Sequence, residues 1–373
     1  MPNRGLHLSR AQARELAVAG QGLAGDAAFI QPLDVLSHLG AIQLDAIQRV
    51  DKAHRLVCLA RAPHLQGRDA IDAQLWSPAG PATVFESAAH AVCLLPMTDW
   101  PLWTFMRERT ARVSWAPEPA LCDRVRQMVE VHGPVTLSDI EALGERKSSG
   151  WGWSDAKRAA EYLVWTGVLI AAARRGAKRV YDLAECRVPA DLLHARPDEH
   201  DSLIALLDKA ARVYGVATTA DLTEYFRLPR AAAAQALTDT SLLPATVEGW
   251  DEPAWVHPAT LERAPVPAEP VFLTPFDNLI WDRDRTRRLF SFDYTFEAYK
   301  PPAKRRFGYY VTPLLAGTRM IGRADLMRDG AVLRTLVMHH EPGPAPDHDL
   351  VLQAGQRLAK QLGCDEFRFD HSP

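Results

Sequence analysis

Several features that would assign the chain to a familiar class are missing from its 373 residues. No apolar run approaches the ~18 residues needed to cross a bilayer, and the N-terminus lacks the charged region, apolar stretch and cleavage site of an exported protein. The five cysteines stand singly, without a CxxC pair, which is typical of reduced thiols. His339-His340 and Glu341 lack the HExxH spacing of a helical zinc site. We therefore expect a cytoplasmic protein of the bacterial nucleoid-associated cytosol, with no membrane partner, metal or cofactor.

The chain also has no excess of positive charge, since it contains 43 Lys and Arg residues and 46 Asp and Glu residues. The net charge of −3 therefore gives no general indication of a nucleic-acid partner. Local basic clusters are nevertheless present, at Arg174-Arg175 with Lys178-Arg179, at Arg283 with Arg285, Arg287 and Arg288, and at Lys304-Arg305-Arg306. Any phosphate contacts would have to come from such clusters.

The order of elements predicts an α+β fold of tandem winged helices, in which a helix-turn-helix is followed by a hairpin. Gly and Pro signals separate three helices and a basic hairpin in the second quarter of the chain, and the same order recurs directly afterwards. The first set of segments is 120–132, a short helix capped by Thr136 or Ser138, 154–165, 168–173 and 178–183; the second is 200–214, 218–226, 229–238 and a strand pair within 242–255.

Four domains follow from this pattern and from the length of the chain. Residues 1–118 would form a first winged-helix region, 119–198 a second winged helix, 199–264 a third, and 265–373 a β-rich domain with one helix. Alternation at 289–296 and hairpin spacing at 308–315, 320–327 and 332–337 predict a small β-barrel or curved sheet in that last domain.

The first region contains the triplet Gln43-Leu44-Asp45, which follows a helix predicted over 32–39 and ended by Gly40. In an extended segment residues i and i+2 share a face, about 6.5–7 Å apart, so a carboxamide and a carboxylate would address one point while Leu44 faces the core. An exposed polar strand edge would show the same pattern. The apolar segment 50–61 that comes next fits a strand or a helix equally well.

The context of the triplet resembles the winged-helix DNA glycosylases of the AlkZ and YcaQ type. The resemblance is collinear over nearly the whole chain, and the segments that carry it are 39–47, Ala53-His54, 59–61, Phe85-Glu86 with His90, Leu95-Pro96, 149–158, 180–183, 273–283, 292–294 and 304–310. It implies a C-shaped array around a DNA channel and activity on cationic N7-alkylpurines, including interstrand crosslinks in some members. Gln43 followed by Asp45 is similar to the Gln-x-Asp branch, whose range of substrates includes crosslinks.

The resemblance implies a monofunctional glycosylase in which Gln43 and Asp45 are catalytic, acting as a monomer on double-stranded DNA with alkylated purines. Glu86 and His90, at positions i and i+4, are expected to share a helix face toward the cleft, with His54 as a further supporting residue; each can equally be structural. We expect DNA contacts from Trp153, Lys157, Arg158, Arg174, Arg175, Lys178, Arg283, Lys304, Arg305, Arg306 and Tyr309. Trp151 and Trp153 can stack on bases or belong to the core, and Asp277, Asp282 and Arg283 can form an ion-pair network.

Two other classes of protein use the same architecture, because a fold does not fix a function. A winged-helix transcription regulator without enzymatic activity would require a dimerisation element, and no heptad seam is present. A protein-interaction scaffold is the third possibility. Only the enzyme would generate abasic sites in alkylated DNA.

Overall fold

A computed structural model of the chain describes residues 5–24, 29–77, 79–142, 155–175, 178–262, 268–341 and 348–370. Its helices are α1 Arg10–Gly20, α2 Pro32–Leu39, α3 Ala53–Arg61, α4 Arg68–Leu75, α5 Thr104–Thr110, α6 Pro119–His132, α7 Leu137–Glu141, α8 Asp155–Trp165, α9 Ala184–Arg187, α10 Ala190–His194, α11 Glu199–Tyr214, α12 Thr219–Tyr225, α13 Arg230–Ala236, α14 Pro258–Leu261, α15 Arg283–Phe290 and α16 His348–Gln361. Its strands are β1 Leu6–Leu8, β2 Ile42–Gln43, β3 Val84–Ala88, β4 Val92–Pro96, β5 Val135–Thr136, β6 Leu169–Arg175, β7 Lys178–Leu183, β8 Val216–Thr218, β9 Leu243–Val247, β10 Ala254–Val256, β11 Val271–Phe272, β12 Val311–Ala316, β13 Arg319–Asp329, β14 Val332–His340 and β15 Glu366–Phe369.

One connection order occurs three times in this α+β structure: helix, short strand, two helices and two strands. The first unit is α2-β2-α3-α4-β3-β4, the second is α6-β5-α7-α8-β6-β7, and the third is α11-β8-α12-α13-β9-β10. In each unit the last strand lies between the other two, giving the sheet orders β2-β4-β3, β5-β7-β6 and β8-β10-β9. The ambiguous segment 50–61 supplies a helix, α3, to the first unit.

Local sequence signals explain where several of these elements begin and end. Thr136 forms a capping box with Asp139 at the start of α7, so two amides of the first turn find partners. Gly40 ends α2 with a φ of 71°, and a Cβ at this position would lie 3.1 Å from the Phe226 ring. This glycine turns the chain directly into β2.

The N-terminal segment packs on the third unit, although the sequence placed it with the first region. β1 pairs in parallel with β9, joining Leu6 to Ala245, and Arg10 Nε donates to the Glu248 carbonyl at 3.2 Å. The pairing extends the third sheet by one strand. Sequence periodicity carries no information on this contact, because its partners are separated by more than 230 residues.

The C-terminal region contains a five-stranded sheet of order β11-β12-β13-β14-β15, against which α16 packs. The strand expected at 289–296 is wrong. Residues up to Phe290 belong to α15, which Asp282 caps by accepting from Arg285 N at 3.0 Å. Phe292 and Tyr294 then alternate with exposed neighbours, so the burial pattern is that of a strand, but this segment pairs with no strand among the described residues.

A buried ion pair joins the first unit to the C-terminal region. Arg61 on α3 and Asp277 form two hydrogen bonds of 2.8 and 2.9 Å, and neither side chain is exposed. Arg61 Nε also donates to the Gln21 carbonyl at 2.7 Å. Such a pair fixes orientation more than it adds stability, because both charges are removed from water. Across the described ranges, no helix is long and apolar enough to span a membrane.

Candidate active site

Asp45 lies just beyond the short strand β2, in a turn that fixes its carboxylate. β2 pairs with β4 through Ile42–Leu94 and Gln43–Cys93, and Leu44 N donates to the Val92 carbonyl at 2.8 Å. The strand ends at Gln43, and Asp45 Oδ1 accepts a hydrogen bond of 2.8 Å from Ile47 N. A carboxylate held by its own turn keeps its position without another side chain.

The triplet departs from the expected alternation because strand geometry does not continue through it. Leu44 was expected to face the core, but it is half-buried and lines a cavity together with Asp45. Gln43 is also half-buried, as the last residue of the strand. The two candidate catalytic side chains are therefore placed by different local structures.

Residues from distant parts of the chain hold the backbone that leads into Asp45. Asn278 Nδ2 donates to the Ala41 carbonyl and to the Tyr225 hydroxyl, both at 2.8 Å. The Tyr225 hydroxyl in turn donates to the Leu39 carbonyl at 2.8 Å. Asn278 and Tyr225 are fully buried, so these bonds form in a low-dielectric interior where leaving one unmade is costly. The position of β2 thus depends on the third unit and on the loop after β11.

The cavity beside Asp45 has a volume of about 540 Å³ and lies between the first and second units. Leu44, Val92 and Leu137 form an apolar part of its wall. Its basic lining residues are Lys52, Lys157, Arg174, Lys178 and Arg179. Burial raises the pKa of the Asp45 carboxyl, and the backbone amides of Ile47 and Ala46 oppose that rise. Glu161 also lines the cavity, and it binds Arg179, so the site combines a restrained carboxylate with basic side chains that are partly neutralised.

His54 lies in the wall of this cavity, as part of a structural network. Its Nε2 is 2.9 Å from Asp72 Oδ1, and Asp72 also accepts from Lys52 Nζ at 2.9 Å and Arg55 Nη2 at 2.7 Å. The imidazole packs edge-on against Trp76, with ring centroids 5.2 Å apart. Burial lowers the pKa of His54, and the hydrogen bond and negative charge of Asp72 oppose that change. His54 therefore supports the cavity wall and has one ring nitrogen already engaged.

Glu86 and His90 do not share a helix face, so that prediction is wrong. Glu86 lies on β3 with its side chain fully buried, and it accepts from Arg174 Nη2 at 2.5 Å and Arg179 Nε at 2.6 Å. His90 instead stacks on Trp281, with ring centroids 4.5 Å apart and an interplanar angle of 16°. Burial lowers the pKa of His90 to about 4. The hairpin β3-β4 separates side chains that a helix would have aligned.

The basic hairpin of the second unit turns two of its arginines inward. Arg179 is bound by Glu161 as well as by Glu86, and the Arg174 guanidinium lies 5.2 Å from the centre of the Trp76 ring. Arg174 is therefore committed to the joint between the two units, although it was expected to contact DNA. Arg175 and Lys178 remain exposed at the tip, with Lys178 Nζ 3.3 Å from Ser138 Oγ.

The other expected DNA contacts divide into buried and exposed groups. Arg283 donates to the Ile280 and Pro275 carbonyls, both at 2.7 Å, so we withdraw it from the phosphate contacts. The ion-pair network expected for Asp277, Asp282 and Arg283 is wrong, since each of them has a different partner.

The exposed residues among the expected DNA contacts are Arg158, Arg175, Lys178, Lys304 and Arg306, while Lys157 is half-buried in the cavity wall. Trp151 and Trp153 lie outside the described residues.

Arg305 and Tyr309 contact each other in the loop that precedes β12. Arg305 Nε donates to the Lys300 carbonyl at 3.0 Å, and its guanidinium lies 4.8 Å from the centre of the Tyr309 ring. Arg49 lies 5.8 Å from the same ring centre. Tyr309 thus connects this loop to the segment that follows Asp45.

Sequence reasoning missed most residues that position the site. Asn278 belongs to the segment 273–283, which was part of the family resemblance, but no role was assigned to it. Arg61 belongs to the segment 59–61, which was also part of the resemblance and was likewise given no role, while Tyr225 and Glu161 were not singled out at all. Their only sequence signal is a polar side chain at an otherwise apolar helix position, as with Glu161 in α8.

Two comparisons agree on the relatives of this chain. A family model described as "DNA glycosylase AlkZ-like" matches residues 36–361. The solved structure of the Streptomyces sahachiroi DNA glycosylase AlkZ covers 98% of this chain and 100% of its own, with 16% sequence identity and a TM-score of 0.67. At that identity the structural match shows a shared fold, while the family match covers most of the chain.

Proposed function

Because the chain belongs to the AlkZ-like DNA glycosylase family, we propose that it hydrolyses the N-glycosidic bond of cationic N7-alkylpurines in double-stranded DNA. The observation that carries this proposal is the Asp45 carboxylate, which its own turn restrains in the wall of a cavity between two units. Gln43, at the end of β2, is the second proposed catalytic residue. The activity itself, release of a base from DNA, is that of a DNA glycosylase.

The chemistry requires few groups because the substrate already carries a positive charge. When the bond between C1′ and N9 breaks, its electron pair neutralises the departing purine, so no strong general acid is needed. The sugar develops oxocarbenium character, which the Asp45 carboxylate can stabilise electrostatically. Water then adds to C1′ and loses a proton to the Asp45 carboxylate or to bulk water, and Gln43 can orient the attacking water because its amide both donates and accepts.

We interpret the three repeated units as winged helices that grip the DNA backbone. The exposed Arg175 and Lys178 at the hairpin tip of the second unit, and Lys304 and Arg306 in the C-terminal region, are the proposed phosphate contacts. A winged helix places its last helix in the major groove and its hairpin on the backbone. Three units in one chain provide several such contacts, which supports a monomer as the active form.

The same arrangement supports activity on bulky or crosslinked adducts. A glycosylase that flips its base into a snug pocket excludes a purine tethered to the opposite strand. Here Asp45 borders a cavity between two units, and we expect selectivity to come from the lability that the lesion's charge gives the glycosidic bond rather than from a closed pocket. Interstrand N7–N7 crosslinks are therefore proposed as substrates alongside N7-methylguanine.

The proposal is tested by incubating the purified protein with duplexes that contain N7-methylguanine, a nitrogen-mustard crosslink, uracil or hypoxanthine, and measuring abasic sites. We expect release from both cationic substrates and from neither neutral one. Asp45→Asn should slow release strongly, while Asp251→Asn, which removes an exposed carboxylate in the third unit, should leave it unchanged. Failure of the wild-type protein to release N7-methylguanine would overturn the proposal.

A further inference from the structure

The wall of the cavity beside Asp45 carries more positive charge than the carboxylates bound to it. Its cations are Lys52 from the first unit and, from the second unit, Lys157, Arg174, Lys178 and Arg179. Three carboxylates of the described residues are bound to members of this set: Asp72 to Lys52, and Glu86 and Glu161 to the arginines. Five cations against three carboxylates leave an excess of two positive charges, or of one when Asp45 is included.

The two arginines form a fixed part of this wall. The side chain of Glu86 is fully buried and accepts from both of them, and only 16% of each arginine side chain is exposed. A guanidinium has five N–H donors, and the bond between Arg174 and Glu86 uses one of them. An arginine anchored in this way is in position before a ligand arrives, so it loses little entropy on binding.

A helix and a hairpin of the second unit each bring a lysine to the same cavity. Lys157 and Glu161 stand four residues apart on α8, and therefore on one helix face, and both line the cavity. Lys178, at the start of β7, lines it from the hairpin and is exposed to solvent. A lysine ammonium is a compact charge on a flexible stem, which suits contact with a phosphate oxygen. The second unit thus directs its cations at the carboxylate that the first unit supplies.

These cations oppose the proposed reaction unless an anion accompanies the substrate. The N7-alkylpurine is already cationic, and positive charge moves onto the deoxyribose as the glycosidic bond breaks. Like charges repel more strongly in a partly buried cavity than in water, so an unneutralised wall raises the energy of that transition state. The neutralising charge must therefore come with the substrate. In duplex DNA the anions nearest to the deoxyribose are the two phosphates bonded to it.

We propose that the cavity binds a backbone phosphate of the lesioned nucleotide through Lys157 and Lys178, and that this phosphate neutralises the wall beside the reacting sugar. This inference rests on the proposed function and makes the DNA backbone at the lesion a part of the catalytic centre. A sugar and its phosphates lie on the outside of the duplex, so they reach Asp45 while the base stays in the stack. The cavity, about 540 Å³ in volume, offers the sugar the apolar side chains of Leu44 and Leu137.

The test removes the charge of one phosphate at a time. Duplexes with a single N7-methylguanine carry a methylphosphonate, which keeps the linkage but is neutral, at each of the two nearest positions on either side of the lesion. Single-turnover excision is measured at saturating protein, and Kd is measured with a 2′-fluoro lesion, which slows hydrolysis. Wild type should lose about tenfold or more in rate at one of the two phosphates bonded to the lesioned sugar, and less than about threefold at the outer positions.

Protein variants connect that loss to the two lysines. Lys157→Met combined with Lys178→Met keeps the apolar stems and removes the charges, so it should shrink the loss at the sensitive phosphate to less than about threefold. Each single variant should shrink it in the same direction. Lys360→Met combined with Arg368→Met, which removes two exposed charges elsewhere, is the matched control and should keep the full loss. Circular dichroism verifies that each variant is folded.

The possible results separate this inference from the function on which it rests. If wild type excises N7-methylguanine but no neutral linkage slows it, or if the folded lysine variants retain the full loss, the inference fails and the function stands. A loss confined to Kd, with a full rate at saturating protein, also overturns the inference, because the phosphate would then act only in attachment. Absence of excision from the unmodified duplex by wild type would overturn the proposed function and this inference together.

Discussion

Replacement of Asp45 by asparagine is the most direct test of the chemistry. The substitution keeps the shape of the side chain, and an amide oxygen can still accept the bond from Ile47 N that fixes the turn. What it removes is one negative charge. Since Asp45 is half-buried, an intermediate effective dielectric constant applies. Two unit charges ~4 Å apart then attract by about 4 kcal/mol at an effective dielectric constant of ~20.

If most of that attraction develops only in the transition state, Asp45→Asn should lower the rate about 10²- to 10³-fold. The assay is single-turnover release of N7-methylguanine at saturating protein, with circular dichroism to verify the fold. Gln43→Ala should lose less, because a neutral hydrogen bond contributes less than a charge. A rate for Asp45→Asn within threefold of wild type would refute the assignment of Asp45.

The same reasoning predicts the acidic limb of the pH profile. The reaction uses the carboxylate form of Asp45, and burial raises the pKa of this group above its ordinary value of 3.8. The rate should therefore be full above that raised pKa and fall as the pH decreases through it. Asp45→Asn should show no such limb on its residual rate. An identical acidic limb in both proteins would assign the titration to another group.

Three further predictions concern the surroundings of the site. Lys304→Ala with Arg306→Ala should reduce the slope of log affinity against log salt by about two, since each phosphate contact contributes ~0.9; Lys360→Ala with Arg368→Ala, also exposed, should leave it unchanged. Glu86→Gln should destabilise the fold by about 3 kcal/mol in thermal or urea unfolding, because it leaves Arg174 and Arg179 without their shared carboxylate. Glu118→Gln, at an exposed residue, should leave the stability unchanged. Asn278→Ala should lower the stability of the fold by about 1–3 kcal/mol. It should also lower the excision rate, because it releases the Ala41 carbonyl four residues before Asp45. A variant with lower stability and a full excision rate would show that this bond does not position the site.

Local elements could be predicted from the sequence because their signals are local. The capping pair Thr136–Asp139 and the terminating Gly40 lie within a few residues of the ends that they specify. The recurrence of helices followed by a hairpin is likewise visible in the order of apolar segments. The alternation of apolar and polar residues around Phe292 and Tyr294 led to a wrong prediction of a strand. Such alternation indicates that one side of an extended chain is buried, and it does not show that the chain has a strand partner.

The candidate site was less accessible to sequence reasoning because its geometry comes from long-range contacts. Glu86 and His90 were given a helical spacing, but their roles depend on Arg179 in the second unit and on Trp281 after β11. Tyr225 and Asn278 act on the backbone before Asp45 from more than 180 residues away. No periodicity within a short window can indicate such a bond.

The net charge of −3 and a DNA substrate are compatible because the cations divide into two sets with different partners. Arginines such as Arg61, Arg174 and Arg179 are bound by buried or nearly buried carboxylates, and their charges are used to join the units. The exposed Lys178 lines the cavity that holds Asp45, and Lys304 and Arg306 lie exposed in the segment before β12. Acidic residues neutralise the interior cations and leave these exposed ones available to other partners. A phosphate backbone responds to that local field rather than to the sum over the chain.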